Sequence, residues 1–420
     1  MLSITSHINR KNAFVFSLML SVFVMPFPFV IQNIVFLVTG LLWLIQGENY
    51  GAAFRYSFSW WLWLFFLLHV VSVFHSINTH EAWLAVERRL PFALLSLFIF
   101  HPIVNDYLPH LKRAFILGVA SALILLFGIA CWRFYGSADA SVFFYHTFSQ
   151  PIRMHAVYLA AYSLFALVLL NTSKQTLFNS KWLLPLHVIL GLGLVLLSSK
   201  LMLVLALIFA VILIGVRQEA SREKRTIAVV FTTALLLVIS FTAPIKERFL
   251  KEISSDFAVV KQEQFKYDTP FSGTSLRLVI WKQCQELLNK EKAWLFGVGS
   301  GDAQDLLNQS YQHKGMYTGN PDLHDTGYLG YGPHNSYIET LFSLGLIGLC
   351  ALVAMMFNLY LKLKRQLLGI LFLTIVCSFF LTESVLSTNK GIVFFTLFSC
   401  LLVNEISNTK NSVVNTRKNS

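Results

Sequence analysis

Long apolar runs, separated by short polar clusters, set the strongest limit on how this chain can fold. Runs of about 15 to 20 apolar residues recur from residue 13 to residue 406. Charged residues make up 13% of the chain, against about 25% in a typical soluble protein. Runs of this length suit helices that cross a bilayer. The pattern predicts an all-α, polytopic membrane protein, and it argues against a soluble enzyme, a nucleic-acid-binding domain or a secreted disulfide scaffold.

Hydropathy predicts about twelve spans. They are 13–31, 34–47, 58–75, 90–104, 114–134, 155–172, 183–198, 201–216, 226–243, 336–361, 366–384 and 391–406. The first resembles a signal peptide, but its apolar stretch is too long and prolines occupy the cleavage position, so we expect an uncleaved span. The 34 residues from Leu183 to Val216 would make a helix of about 51 Å, too long for one span of about 30 Å. We therefore expect two helices and a tight turn at Lys200.

The basic residues are distributed unevenly between the two sides that these spans define. With both termini in the cytoplasm, 17 Lys and Arg residues lie inside and six lie in short outer loops, Arg88 and Arg89 among them. The other ten lie in residues 244–335, which also hold eleven acidic residues. The net charge of +12 is thus mainly a topology signal, and no nucleic-acid partner is expected.

The spans divide the chain into four parts. Residues 1–243 form an N-terminal bundle of about nine spans, residues 244–335 a large outer loop with short helices, and residues 336–406 about three further spans. Residues 407–420 form a cytoplasmic polar tail that we expect to be disordered. Function is expected in the large outer loop, because loops on a rigid scaffold commonly carry it.

Two cations are candidate ligands for an anion at the outer face. Lys200 is a lone charge at the tip of an apolar hairpin, where it can snorkel to the interface or meet an anionic lipid head group. Arg277 follows Thr274 and Ser275, either of which can cap a helix. Arg277 would then lie in the first turn, beside unpaired backbone N–H groups that favour an anion.

His334 is the candidate general base. It lies just before Ser336 and Glu339, whose spacing predicts a capping box, so Glu339 has a structural explanation. His334 has none, and an imidazole can take a proton from a hydroxyl during group transfer.

Weaker candidates surround these three residues. Glu383, at the outer end of a span, can pair with Lys390 or with one of the site cations. Arg153 and His155, at the outer start of another span, can line the same cavity. The glycine-rich stretch 297–301 lacks the βαβ context of a nucleotide loop and is interpreted as a flexible turn. No cysteine or carboxylate stands at ligand spacing, so no metal site and no cofactor are expected.

Several of these motifs together resemble the O-antigen ligase and O-antigen polymerase superfamily. The resemblance covers about residues 183–405. The stretches that carry it are Ser198–Lys200, Arg277 with Trp281, Leu295–Gly299, His334–Glu339 and Leu344–Leu349.

The resemblance implies a metal-independent glycosyltransferase with a GT-C-like fold in the bacterial inner membrane. In the ligases, a glycan moves from undecaprenyl diphosphate to a hydroxyl of lipid A–core at the periplasmic face. The resemblance assigns binding of the lipid diphosphate to Lys200 and Arg277, and activation of the acceptor to His334. Many members have arginine at the position of Lys200. Lysine keeps the positive charge but lacks the bidentate geometry of a guanidinium.

Other functions share parts of this pattern. An O-antigen polymerase, or a protein-glycosylating relative, uses the same donor with another acceptor. A transporter or flippase would typically show two similar halves with polar helices at mid-membrane. No such repeat is visible, and the polarity is concentrated in one outer loop.

Overall fold

The computed structural model describes residues 2–173, 177–216, 259–320, 322 and 325–418. In this part of the chain the regular structure is helical, apart from one isolated bridge between Asn320 and Asp325. The α-helices in these ranges are α1 Leu2–Phe23, α2 Phe29–Gln46, α3 Ser57–Ser72, α4 Thr79–Ile99, α5 Leu108–Ser137, α6 Tyr145–Ser149, α7 Ala156–Thr172, α8 Ser180–Leu196, α9 Lys200–Val216, α10 Gly273–Lys290, α11 Ala303–His313, α12 Ser336–Leu363, α13 Leu367–Thr382 and α14 Asn389–Lys418. The expected span 226–243 lies outside the described residues.

The chain is a multi-pass helical membrane protein. Within the described ranges, five helical segments are long and apolar enough to cross a bilayer. They are Phe29–Gln46, Ser57–His75, Pro102–Ser137, Ser336–Leu363 and Asn389–Asn408. A sixth forms if the bent pair Tyr145–Ile152 and Ala156–Thr172 counts as one span, and three shorter apolar helices lie in α8, α9 and α13. These segments support a polytopic protein, and the number of twelve spans stays a prediction.

Two expected boundaries are wrong. The first span was placed at 13–31, but α1 ends at Phe23 and α2 begins after Pro28. Proline lacks the N–H that a helix interior needs and restricts the residue before it, so Pro26 and Pro28 separate the two helices.

The fourth span was placed at 90–104, but α4 already begins at Thr79, where Asn78 caps it by accepting a hydrogen bond from the Glu81 N–H at 3.2 Å. Arg88 and Arg89 therefore lie inside a helix and not in an outer loop, and Arg89 is buried. Hydropathy detected only the apolar second half of α4. The charged first half belongs to the same helix, because charged residues do not by themselves end a helix.

The ambiguous stretch after Leu183 folds as expected into two helices, α8 and α9, joined by a turn at residues 197–199. Ser198 in this turn has a left-handed φ of 50°. At the other end of the chain, the polar tail expected to be disordered continues α14 as helix to Lys418. Its polar composition is therefore compatible with an extended helix.

Contacts between helix ends define two opposite faces of the bundle. At one face, which we call the site face, Lys390 Nζ donates to the carbonyl of Met25 in the α1–α2 turn at 2.6 Å. At the opposite face, Asn404 of α14 donates to the carbonyl of Ile99 at the end of α4 at 2.8 Å. There Lys112 is 3% exposed and pairs with Glu405 at 2.7 Å, which anchors α14 to α5.

The described part of the large loop, residues 259–335, has a hydrophobic core of its own. The core packs α10 and α11 against the start of α12, and its buried residues are Phe265, Leu276, Val279, Ile280, Cys284, Leu287, Leu288, Val298, Leu307, Tyr311, Met316 and Phe342. Asp302 docks this unit onto the α3–α4 turn by accepting backbone N–H bonds from Ile77 at 2.8 Å and Asn78 at 2.7 Å. The large loop is thus anchored at the site face.

The glycine-rich stretch 297–301 is a packed structural element and not the flexible turn expected. Gly345 interrupts α12 with a φ of 67°, and at this kink the N–H groups of Val298 and Gly299 donate to the carbonyls of Phe342 and Ser343 at 2.9 and 3.1 Å. A Cβ on Gly297 would lie 2.4 Å from the carbonyl carbon of Ser343. Glycine is therefore needed on both sides of this close backbone approach.

Candidate functional site

Glu383 joins Arg277 and His334 at the site face. Its Oε1 lies 3.4 Å from Arg277 Nη2, and its Oε2 lies 3.1 Å from His334 Nδ1. The Glu383 side chain is 8% exposed, whereas those of Arg277 and His334 are 34% and 31% exposed. A nearly buried carboxylate thus holds a cation and an imidazole that both remain accessible.

The end of α13 and the start of α12 hold this carboxylate in place. Ser336 Oγ donates to the Glu383 carbonyl and accepts from the Val385 N–H, both at 2.9 Å. Asn335 Nδ2 donates to the Leu381 carbonyl at 3.1 Å. These bonds fix the backbone around Glu383 beside Asn335 and Ser336, the two residues that follow His334.

The capping box expected from Ser336 and Glu339 is wrong. Asn335 is the N-cap, and its Oδ1 accepts from the N–H groups of Tyr337 and Ile338 at 2.9 and 3.1 Å. Ser336 is engaged with the backbone of Glu383 and Val385 instead, and the half-buried Glu339 accepts a hydrogen bond from Ser387. Asparagine caps helices as well as serine does, so spacing alone did not distinguish the two.

Arg277 lies two or three residues further into its helix than expected. Ser272 caps α10 and takes the N–H groups of Thr274 and Ser275 in a reciprocal capping box. Arg277 is the fifth helical residue and does not lie beside unpaired N–H groups. Its value as an anion ligand therefore rests on its guanidinium, which can bind phosphate oxygens in a bidentate manner.

His334 occupies a strained backbone position between two anchored neighbours. Its φ is 47°, in the left-handed region that few non-glycine residues adopt. On one side, Trp281 Nε1 donates to the Pro333 carbonyl at 2.7 Å, and on the other side Asn335 caps α12. The Tyr331 ring lies 5.9 Å from the imidazole, centroid to centroid. The surrounding contacts thus direct this side chain towards Glu383.

Lys200 and Arg153 lie at the same face without joining the Glu383 pairs. α7 starts at the site face and runs away from it, and the antiparallel α8 runs back. The turn after α8 therefore lies at the site face, where the exposed Lys200 begins α9. α9 packs against α7 and against α13, the helix that precedes Glu383. Arg153 is exposed in the turn before α7, with a φ of 52°.

The structure shows which of the partners left open by the sequence Glu383 contacts. Glu383 pairs with Arg277 and His334, and Lys390 is held elsewhere by the carbonyls of Met25 and Phe27 and by Gln32 Oε1. Lys390 therefore fastens the α1–α2 turn to α14.

Sequence reasoning missed a polar cluster around the buried Arg89, behind the site. Arg89 Nη1 donates to the Ala85 carbonyl at 2.9 Å and Nη2 to Ser387 Oγ at 3.4 Å, and Ser387 in turn donates to Glu339. The sequence signal was the pair Arg88 and Arg89 before an apolar run. By pattern alone this pair is interpreted as outer-loop cations that help to set the topology. A buried guanidinium needs a partner, and Glu339 supplies the opposite charge.

Metal and thiol chemistry find no ready site here. In the part of the chain that the structure describes, no group of three His, Cys, Asp or Glu residues is placed to hold a metal ion. Cys284, in the large loop, is buried, and burial raises the pKa of its thiol. This disfavours the thiolate that a nucleophile needs.

Comparison with known families matches residues 185–353 to the family described as O-antigen ligase. The matched segment covers 169 of the 420 residues. The match confirms the resemblance to the O-antigen ligase and polymerase superfamily, whose members are glycosyltransferase-like enzymes. The comparison with curated proteins gave no match.

The matched segment contains some of the candidate residues but not all. Lys200, Arg277 and His334 lie inside it, whereas Arg153 and Glu383 lie outside. The described fold brings Glu383 to the matched segment through the hydrogen bonds between α12 and the end of α13. The site is therefore completed by a helix that follows the matched segment.

Proposed function

We propose that this protein transfers a glycan from undecaprenyl diphosphate to a hydroxyl of lipid A–core, as a metal-independent glycosyltransferase of the ligase type. The observation that carries the proposal is the bridge that Glu383 makes between His334 and Arg277. It places a base and a cation on two sides of one carboxylate. Transfer from a lipid diphosphate needs such a pair, one group for the acceptor and one for the leaving group.

His334 acts on the acceptor hydroxyl. The Glu383 carboxylate accepts from Nδ1, so Nδ1 carries the proton and Nε2 of the neutral ring has the lone pair. Nε2 takes the proton as the hydroxyl oxygen bonds to the anomeric carbon. The negative charge of Glu383 then stabilises the imidazolium that forms.

Arg277 and Lys200 act on the leaving group. As the new bond forms, the bond between the anomeric carbon and the diphosphate oxygen breaks, and undecaprenyl diphosphate leaves with its electron pair. Cations that hold the developing charge lower the barrier for this step. Arg277 contacts Glu383 through Nη2, at 3.4 Å, so the guanidinium can approach a phosphate while keeping its carboxylate partner.

Arg153 is proposed to assist in binding the substrate at the same face. It is exposed in the turn before α7, where a cation can meet an anionic substrate. Its role is binding only, since the chemistry is assigned to His334, Arg277 and Lys200.

The proposal includes a placement in the cell. The protein lies in the bacterial inner membrane with both termini in the cytoplasm, residues 244–335 in the periplasm, and a GT-C-like bundle of about twelve spans. The uneven distribution of Lys and Arg supports this orientation. The grouping of Lys390 with the α1–α2 turn at the site face supports it too.

Deletion of the gene, followed by gel analysis of lipopolysaccharide, tests the proposal. We expect all long chains on lipid A–core to disappear while lipid-linked polymer accumulates, and the wild-type gene to restore them. Core carrying a single repeat unit would identify an O-antigen polymerase with the same donor. Unchanged lipopolysaccharide together with missing glycan on protein would identify a protein-glycosylating enzyme. Loss of lipid-linked glycan from the periplasmic leaflet would point to a flippase.

A further inference from the structure

A sharp bend before α7 exposes a group of rings at the site face. The segments Tyr145–Ile152 and Ala156–Thr172 meet at an angle of 85°. The bend leaves Tyr145, His146 and His155 exposed. We call these three residues the α6–α7 ledge. One phenol ring and two imidazoles on one exposed surface are suited to contact a ligand and have no role in the bundle core.

The rings of the ledge form a continuous surface. The Tyr145 and His146 ring centroids lie 3.9 Å apart, and those of His146 and His155 lie 4.3 Å apart at an interplanar angle of 69°. Behind them, His155 contacts Tyr158, which packs on Phe379 in the last turn of α13. The ledge is therefore connected through two rings to the helix whose end presents Glu383.

The ledge faces the same space as the proposed reaction centre. All three of its residues lie within electrostatic range of the Glu383 carboxylate. His155 also lies within range of His334 and Arg277. Because Arg277 lies in α10, His334 just before α12 and Glu383 just after α13, the ledge forms a further wall of one site.

His155 and His334 present opposite hydrogen-bonding groups to this space. His155 caps α7, and its Nδ1 accepts from the Val157 N–H at 3.4 Å. In the neutral ring the proton then lies on Nε2, which is a donor. His334 has its proton on Nδ1 and a lone pair on Nε2. One imidazole can therefore remove a proton while the other donates a hydrogen bond.

We propose that the α6–α7 ledge binds the pyranose ring next to the bond that is transferred. Tyr145 packs on the C–H face of the sugar and His155 Nε2–H donates to one of its hydroxyls. A sugar ring has an apolar face and a polar edge, and the ledge matches both. This inference rests on the proposed function, since it places the sugar within reach of His334 and Arg277.

Three variants separate the contributions of the ledge. Tyr145→Ala removes the ring and Tyr145→Phe keeps it. His155→Asn removes the imidazole donor but retains an oxygen that can cap α7. His313→Ala, at an exposed imidazole in α11, is the matched control. Each purified protein is titrated with undecaprenyl diphosphate and with the lipid-linked glycan that accumulates in the deletion strain.

The wild type is expected to bind the lipid-linked glycan more tightly than bare undecaprenyl diphosphate. Tyr145→Ala and His155→Asn should each weaken glycan-lipid binding about tenfold and leave bare lipid binding unchanged. Tyr145→Phe and His313→Ala should behave as the wild type does. If the loss appears instead in KM for the acceptor, the ledge binds the sugar of the acceptor.

Two further outcomes separate failure of the ledge from failure of the proposed function. Wild-type glycan affinity and wild-type KM values in both Tyr145→Ala and His155→Asn would overturn the ledge proposal alone. No binding of undecaprenyl diphosphate by the wild-type protein would overturn the proposed function, on which the ledge proposal depends.

Discussion

Glu383 Oε2 lies 3.1 Å from His334 Nδ1, although the two residues are 49 positions apart in the sequence. The carboxylate comes from the end of α13 and the imidazole from the residue before the α12 cap. Its second oxygen contacts Arg277 from the large loop. Three separate segments therefore meet at one side chain that is almost buried, and this side chain controls the orientation of the proposed base.

Glu383→Gln should lower kcat about 10²-fold or more and leave donor binding little changed. The amide oxygen can still accept from Nδ1, but the negative charge that stabilises an imidazolium is lost. Steady-state kinetics of purified protein measure the effect. Glu286→Gln, which alters a pair with Lys314 in the large loop, is the control and should have wild-type kcat. A wild-type kcat in Glu383→Gln would remove Glu383 from the mechanism.

Lys200→Arg should keep substantial activity, whereas Lys200→Ala should lose nearly all of it. The reason is that the proposed role needs a positive charge at the start of α9, and arginine supplies one with added bidentate geometry. Transfer activity in membranes, normalised to the amount of protein, measures this. Full activity of Lys200→Ala at normal protein level would show that Lys200 only snorkels to the interface.

Gly345→Ala should destabilise the protein by about 2 kcal/mol or more. Gly345 has a φ of 67°, and an added Cβ would lie 2.3 Å from the Leu295 carbonyl oxygen. Thermal unfolding in detergent should show a lower Tm. Gly128→Ala, in α5 with open space around its Cα, should leave Tm unchanged or slightly raised. Equal Tm values for the two variants would mean that the kink in α12 tolerates a side chain.

An impermeant thiol reagent should label Gln262→Cys and spare Arg365→Cys in cells with a permeabilised outer membrane. Both positions are exposed. Gln262 lies in the large loop, and Arg365 follows α12 at the opposite end from His334. The native cysteines are removed first. Labelling of Arg365→Cys with protection of Gln262→Cys would invert the orientation.

The sequence predicted what depends on local pattern. Apolar runs indicated the helices, the length of the 183–216 stretch indicated a hairpin, and the lack of a structural role singled out His334. It could not predict what depends on folding at a distance. Glu383 had several possible partners, and Lys390 was as near in sequence as any of them. Only the packing of α12 against α13 selects His334.

Local competition explains the other differences. Asn335 and Ser336 are both good caps, and tertiary contacts with Glu383 and Val385 decide which of them caps α12. The glycine-rich stretch looked flexible because its partner, the kink at Gly345, lies almost 50 residues later. Arg89 looked like a loop cation because its partners Glu339 and Ser387 follow about 250 to 300 positions further along the chain.

Parallel measurement of donor binding and transfer rate in His334→Ala and Arg277→Ala tests the central claim most directly. Purified protein, undecaprenyl-diphosphate-linked glycan and an acceptor supply both values. We predict that His334→Ala loses about 10²–10⁴-fold in transfer while its donor binding is little changed. Arg277→Ala should weaken both, because its partner is the leaving group. If His334→Ala binds donor poorly and Arg277→Ala binds it normally, the two roles are exchanged. Wild-type transfer rates in both variants would contradict the proposed site.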